Sequence, residues 1–247
     1  MGAALTEHVH FIDCHSHVVP SGDDGVQTVE EGLKYCQEAY RRGTTVLFAT
    51  PHVAPAGAYP MYPEREAEFR ENLASMRKQA TLDLRVGFEV APASSLLNED
   101  PHRYALEGTN LLLIETARSK PLDELVMLGE HAEAAGLRPL IAHPEYSWAI
   151  LRNPSLADGL AERGWLLQVS AESVCGLVDQ VTERVAWSLL LRGVATVVAS
   201  DGHGPRRPPY LDVVYRIVCE RLSDHADPLF NGRNLGVVAT RDQPVRS

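Results

Sequence analysis

Leu111-Leu112-Leu113-Ile114-Glu115-Thr116 is the stretch on which the fold turns. Successive side chains of an extended chain point to opposite faces, so four apolar residues in a row demand cover on both sides. That is the pattern of a strand inside a parallel sheet. Outward from it, runs of similar length and character recur at Val9–Asp13, Thr45–Thr50, Leu84–Val90, Pro139–His143, Leu166–Ser170 and Ala195–Asp201, which makes seven strands. Helical patterns separate them. Thr28–Arg41 places Val29, Leu33, Cys36 and Tyr40 three or four residues apart, opens on a Thr28/Glu31 capping box and stops before Gly43. Glu64–Gln79, Leu122–Ala135, Leu156–Arg163, Val181–Arg192 and Tyr210–Leu222 follow the same plan, with Gly136, Gly164 and Gly193 just past three of their ends.

Strand and helix alternating every 27 to 39 residues or so is a βαβ rhythm. The expectation is an α/β chain forming a single distorted (β/α)7 TIM-like barrel. An open doubly wound sheet is the alternative, but it normally opens its first turn with glycines, where this chain has Cys14-His15-Ser16-His17. The length of 247 residues suits one barrel, and no linker or low-complexity segment divides it, so one domain is expected over 1–247. Its tail from about 225, with Pro228, Gly232, Gly236 and Pro244, reads as loosely structured.

Composition narrows the function. At 45% hydrophobic and 23% charged the chain is an ordinary globular protein, which excludes disorder and collagen-like repeats. A formal charge of −10, from 33 acidic against 23 basic residues with no basic run, argues against a nucleic-acid partner. No stretch approaches the roughly 18 apolar residues of a membrane span, and the opening lacks the features of a signal peptide, so a cytoplasmic location is expected. Met1-Gly2 with Thr6 fits a myristoylation pattern, but nothing polybasic supports it. Cys14, Cys36, Cys175 and Cys219 show no CxxC spacing, which speaks against a zinc knuckle or a disulfide framework.

Chemistry in a barrel gathers at the C-terminal ends of its strands. Here those ends read Asp13-Cys14-His15-Ser16-His17, Pro51-His52, Glu89, Glu115, His143 and Asp201-Gly202-His203, with Gln168 and Ser170 closing the sixth strand. Six of seven therefore finish on imidazole or carboxylate, the mixture that first-row divalent metals take. His15 and His17, two apart on extended chain, face the same way, and Asp201 and His203 repeat that spacing on the strand that must lie beside the first if the barrel closes. Taken singly, each has a bland reading: surface histidines, a structural ion pair at Glu89 or Glu115, a satisfied core histidine at His143, a turn residue at Asp24. Their coincidence at one face favours a metal site.

Ile12-Asp13-Cys14-His15-Ser16-His17-Val18-Val19-Pro20, Asp23-Asp24-Gly25, Ala49-Thr50-Pro51-His52, Gly87-Phe88-Glu89-Val90, Leu113-Ile114-Glu115, Ala142-His143-Pro144-Glu145 and Ser200-Asp201-Gly202-His203 together resemble the polymerase and histidinol phosphatase (PHP) superfamily. Within it they are similar to the manganese-dependent protein-tyrosine phosphatases of bacterial capsule and exopolysaccharide operons. The resemblance implies the PHP barrel and a site for three divalent ions held by His15, His17, Asp24, His52, Glu89, Glu115, His143, Asp201 and His203. Manganese is expected first, with iron, zinc or magnesium as alternatives. It also implies hydrolysis of a phosphomonoester by a metal-bridging hydroxide attacking phosphorus in line, with Asp24, Asp201, His203 and Arg207 as the catalytic set. Two positions depart from the family. Tyr146 stands where an arginine usually helps to hold the phosphate, leaving Arg207, with Arg206 or Arg152 as a substitute. Gly202 replaces a frequent alanine, a change with no evident chemical consequence.

Cys36-x5-Arg42 has the spacing of the cysteine-dependent tyrosine phosphatases, but the residues between form a helix with an acid in the phosphate cradle. Three functions stay open. The first is a phosphatase of phosphotyrosine proteins, reversing a bacterial tyrosine kinase in polysaccharide export. The second is a phosphatase of histidinol phosphate or a sugar phosphate. The third is a non-catalytic regulator with a decayed site, motivated by Tyr146. The loops Val53–Tyr62 and Tyr146–Trp148 are placed to line the mouth, and oligomeric state and general acid are not legible.

Overall fold

The computed structural model describes residues 10–238 except 56 and 58. The myristoylation pattern at Met1-Gly2 and Thr6 lies outside them. The elements run β1 Phe11–Asp13, α1 Val29–Arg41, β2 Thr44–Ala49, β3 His52–Val53, α2 Pro63–Arg77, β4 Asp83–Val86, β5 Glu89–Val90, β6 Leu111–Glu115, α3 Leu122–Ala134 and β7 Arg138–Ala142. The chain continues with α4 Trp148–Arg152, α5 Ser155–Glu162, β8 Leu166–Ser170, α6 Ala171–Val174, α7 Gln180–Leu191, β9 Val197–Ala199, α8 Leu211–Leu222 and α9 Asp227–Phe230. All six expected helices form. Thr28 caps α1 as read, its hydroxyl accepting from Glu31 N, while Glu31 reaches back to Gln27 N.

Every strand pairing is parallel, in a three-stranded sheet β1-β2-β4 and a six-stranded sheet β3-β5-β6-β7-β8-β9. The two sheets are one wall interrupted twice. β2 and β3 are consecutive segments of one stave, as are β4 and β5, and backbone bonds from Gly87 N to Ala49 O and from Glu89 N to Pro51 O cross the interruption. The run Leu84–Val90, expected as one strand, is thus two, interrupted at Gly87-Phe88 with the register to the neighbouring stave unchanged. Counted as staves the wall has the seven members expected. Its ends meet just beyond β1 and β9, where Ser16 and Gly202 form a parallel bridge, His17 N donates to Gly202 O and Asp201 N to His15 O. This is a distorted (β/α)7 barrel.

The consecutive apolar residues divide by parity. Leu111 and Leu113 join Ile12, Val46, Phe48, Leu140, Leu166 and Val197 in an interior cluster, whereas Leu112 and Ile114 join Leu47, Ile141, Leu167 and Val198 under the helices. Over its described part, to Val238, the tail differs from its expectation. Phe230 is fully buried against Phe11 and Tyr215, and Leu235 and Val237 enter the interior cluster. Asn234 Nδ2 donates to Thr196 O, just before β9. Apolar side chains on single turns between Pro228, Gly232 and Gly236 therefore plug the barrel opposite the ligand-bearing ends. Each fully buried aromatic of this kind contributes about 2–3 kcal/mol, enough to hold a segment too short to show periodicity.

Candidate metal centre

The wall delivers all nine expected ligands to one place. His17, Asp24, His52 and His203 form one group, His15, His17 and Glu89 a second, His15, His143 and Asp201 a third, and His52, Glu89 and Glu115 a fourth, with ligand atoms in each group within 4.8 Å of one another. Shared members make the groups overlap. Glu89 is the hub: its Oε2 lies 3.2 Å from Nε2 of both His15 and His17 and 3.0 Å from Nδ1 of His52, and its Oε1 lies 2.8 Å from Nε2 of His143. Asp201 Oδ1 lies 3.4 Å from His15 Nε2 and 3.5 Å from His17 Nε2. Asp24 Oδ1 closes the outer side, 3.5 Å from His52 Nε2 and 3.4 Å from His203 Nε2.

Local backbone explains how strands end on these residues. His143 (φ 35°) and Asp201 (φ 49°) adopt left-handed conformations that cost a non-glycine residue about 1–3 kcal/mol and turn each side chain away from the sheet's pleat. Gly25 sits so close to the His17 backbone that any Cβ would overlap the His17 carbonyl, which fixes the Asp23-Asp24-Gly25 turn on a ligand.

The donor set fits divalent cations. His203 Nδ1 faces the Asp201 carbonyl at 2.7 Å, an acceptor only, so Nδ1 carries the proton and Nε2 keeps its lone pair. His17 Nδ1 is paired with the Asp23 carboxylate at 3.0 Å and His15 Nδ1 with Gln168 Oε1 at 2.9 Å, which sets the same tautomer. The two Nε2 atoms of His15 and His17 then face each other at 3.3 Å, an arrangement that calls for a cation between them. Without metal, protons substitute. Burial lowers the His15 pKa, but Glu89 and Asp201 outweigh it and raise it to about 9, and Glu89 and Asp24 likewise raise half-buried His52 to about 10. Burial raises Glu89, yet the surrounding imidazoles hold it well below the usual carboxylate range, while Glu115 is pushed up by burial and by Glu89.

Arg207 reaches this centre and Arg206 does not. Arg207 Nη1 donates to Asp201 Oδ2 at 2.6 Å and its Nε lies 3.0 Å from Glu172 Oε2, whereas Arg206 is exposed without an ion pair among the described residues. Arg152 ends α4 on the exposed surface. Tyr146 stacks on His143, ring centroids 5.0 Å apart, with its hydroxyl buried beside the hydroxyls of Ser170 and Ser173, so it packs on a candidate ligand rather than replacing an arginine. Tyr59 stacks on His52 at 5.4 Å, while Tyr62 and Trp148 are largely exposed. Gly202 has a packing consequence the sequence does not announce: a methyl there would overlap the hydroxyl and ring of Tyr35, whose hydroxyl donates to Ser200 Oγ. Asp23, Glu172 and Arg118 were not picked out as contributors. Asp23 is a buried neighbour of Asp24, Glu172 lies two residues past β8, and Arg118 lies three past Glu115. A cleft of about 380 Å³ opens from the centre, lined by Glu115, Thr116, Arg118, His143, Tyr146, Glu172, Leu177, Val178 and Arg207.

A distorted α/β barrel carrying overlapping imidazole and carboxylate groups at its strand ends has the make-up of a metal-dependent hydrolase. The fold is shared with a phosphotriesterase homology protein from Escherichia coli, at TM-score 0.58 and 10% identity, covering 95% of this chain and 100% of that one. Residues 11–233 match the family model for capsular polysaccharide synthesis, CpsB/CapC, and the chain belongs to that family. It is 29% identical to the tyrosine-protein phosphatase YwqE of Bacillus subtilis (strain 168), over 96% of this chain and 97% of that protein. Among solved structures it matches one from work on YwqE from Bacillus subtilis and CpsB from Streptococcus pneumoniae, described as unique metal-dependent tyrosine phosphatases. That match has TM-score 0.78 and 26% identity and covers 96% of this chain and all of the other.

Proposed function

We propose that the chain is a metal-dependent protein-tyrosine phosphatase acting in the cytoplasm on phosphotyrosine proteins, a bacterial tyrosine kinase among them, in the control of polysaccharide synthesis. The observation that carries this reading is the convergence of His15, His17, Asp24, His52, Glu89, Glu115, His143, Asp201 and His203 in overlapping groups. Those residues are assigned to three divalent ions, manganese first. When bound, such ions bring a water towards neutral pKa and neutralise charge on phosphate oxygens.

The chain's own residues do the rest. Gln168, Asp23 and the Asp201 carbonyl hold the Nδ1 protons that keep three Nε2 lone pairs turned inward. Arg207, oriented by Asp201 and Glu172, has no acceptor for Nη2 among the described residues and is assigned to an equatorial phosphate oxygen. A phenolate leaving group, with pKa near 10, asks little of a general acid, which favours phosphotyrosine over an alkyl phosphate. Three ions would bring the formal charge from −10 to about −4 and make the centre itself positive, so a phosphate dianion is drawn to the loaded protein only.

Turnover of a phosphotyrosine peptide, histidinol phosphate and sugar phosphates with Mn²⁺, then with chelator, tests the assignment. The peptide should be hydrolysed fastest, and chelator should abolish turnover. Faster turnover of histidinol phosphate favours the small-molecule reading, and no turnover of any substrate favours a regulator with a decayed site.

A further inference from the structure

The cleft beside the centre carries a cation that the reading above leaves unused. The guanidinium of Arg118 is 57% exposed, and the nearest carboxylate oxygen, Asp179 Oδ2, is 3.9 Å away, beyond hydrogen-bond range. Asp179 is already committed to the start of α7. Its Oδ1 accepts from the backbone of Val181 and Thr182 and its Oδ2 from the Thr182 hydroxyl. The Arg118 backbone, by contrast, is pinned, its carbonyl accepting from Trp148 N at 2.9 Å. A fixed main chain therefore presents a half-exposed guanidinium, held only by a long 3.9 Å ion pair to Asp179, on the wall of the cleft.

The rest of that wall has a matching character. Leu177 is 63% exposed and Val178 36%, and with the ring of Tyr146 they form an apolar ledge beside the metal ligands Glu115 and His143. The two cleft carboxylates are spoken for: Glu172 is paired with Arg207, and Glu115 belongs to the ligand groups. An aromatic ring on the ledge and a carboxylate on Arg118 would satisfy both features, because a guanidinium binds a carboxylate through two parallel N–H donors.

We propose that this cleft is a peptide subsite selecting phosphotyrosine flanked by an aspartate or glutamate, with Arg118 pairing with the flanking carboxylate. It rests on the phosphatase reading. The test is kcat/KM of the Mn²⁺-loaded protein on matched phosphotyrosine peptides with Glu, Ala or Lys neighbours, for wild type, Arg118→Ala and Arg118→Glu. Wild type should favour the Glu over the Ala peptide by roughly three- to tenfold, as for a partly exposed charge pair. That ratio should fall close to one in Arg118→Ala, and Arg118→Glu should favour the Lys peptide instead. Because each ratio is taken within one protein, a general loss of activity in a variant does not obscure it. A wild-type ratio near one, or a ratio untouched by Arg118→Ala, overturns the subsite and leaves the phosphatase reading standing. Failure to hydrolyse any of the peptides overturns both.

Discussion

Glu89→Gln removes the charge at the hub of the centre while keeping its shape. Four imidazole nitrogens lie between 2.8 and 3.2 Å from this buried carboxylate. At an effective dielectric near 20, one unit pair at about 3 Å is worth roughly 5 kcal/mol before desolvation is subtracted. Removing one partner of a buried pair leaves a net cost of about 3–5 kcal/mol. In a chain of this length that lowers the melting temperature of the metal-free protein by roughly 10 °C near pH 6.5. The effect fades as pH rises. His15 has a folded pKa raised to about 9, so the stability it contributes is full below the unfolded value of about 6.5 and gone above 9. Metal-free wild type should lose about 3 kcal/mol from His15 over that interval, and Glu89→Gln should flatten the slope. Ions need neutral imidazoles, so their affinity rises over the same pH range, and the variant should bind them at least ten- to a hundredfold more weakly. Calorimetry of chelated and Mn²⁺-loaded protein, with competition against a chromophoric chelator, reads both effects. A variant that binds Mn²⁺ as tightly as wild type and melts with the same pH slope would show that Glu89 is not the hub of a metal centre.

Three further outcomes are expected. Gly202→Ala should cost about 1–3 kcal/mol by overpacking against Tyr35, and the double variant with Tyr35→Leu should recover part of that loss; additive costs in a double-mutant cycle would remove the clash as its cause. Tyr146→Phe should keep activity and cost no more than about 1 kcal/mol, since it removes only the hydroxyl beside Ser170 and Ser173, whereas Tyr146→Ala should cost about 3–5 kcal/mol and lower metal occupancy by releasing His143. Equal metal content in the alanine variant would show that the stack does not position the ligand. Burial pushes the Cys36 thiol up to about 12, so iodoacetamide near pH 8 should spare activity and Cys36→Ala should retain it; inactivation of wild type but not of the variant would reopen the cysteine mechanism.

The strands and the candidate ligands they carry are legible because burial on both faces writes consecutive apolar residues, and because a strand end is where imidazole and carboxylate stand out against them. Leu111–Glu115 shows both signals, and its parity split between the interior and the helix side is the physical content of the pattern. The break at Gly87-Phe88 is hidden, since a local departure from strand backbone that keeps the register leaves the apolar run unchanged. The tail misleads for the opposite reason: Leu235 and Val237 are placed by the barrel end they fill and Phe230 by Phe11 and Tyr215, not by a period of their own. Asp23 and Glu172 act through the Nδ1 of His17 and the Nε of Arg207, and such partners have no fixed spacing from the group they orient. Gly202 looked interchangeable with alanine because the side chain that forbids the exchange, Tyr35, is far away in sequence and adjacent in space.

Nine side chains are assigned to a cluster of divalent ions, and the ions themselves can be counted. Elemental analysis of protein purified under metal-replete conditions, with element-specific anomalous scattering from its crystals, should give three ions per chain, placed among the groups that contain His15, His52, Glu89 and Asp201. A chain that stays metal-free under those conditions, or ions bound away from these side chains, would contradict it.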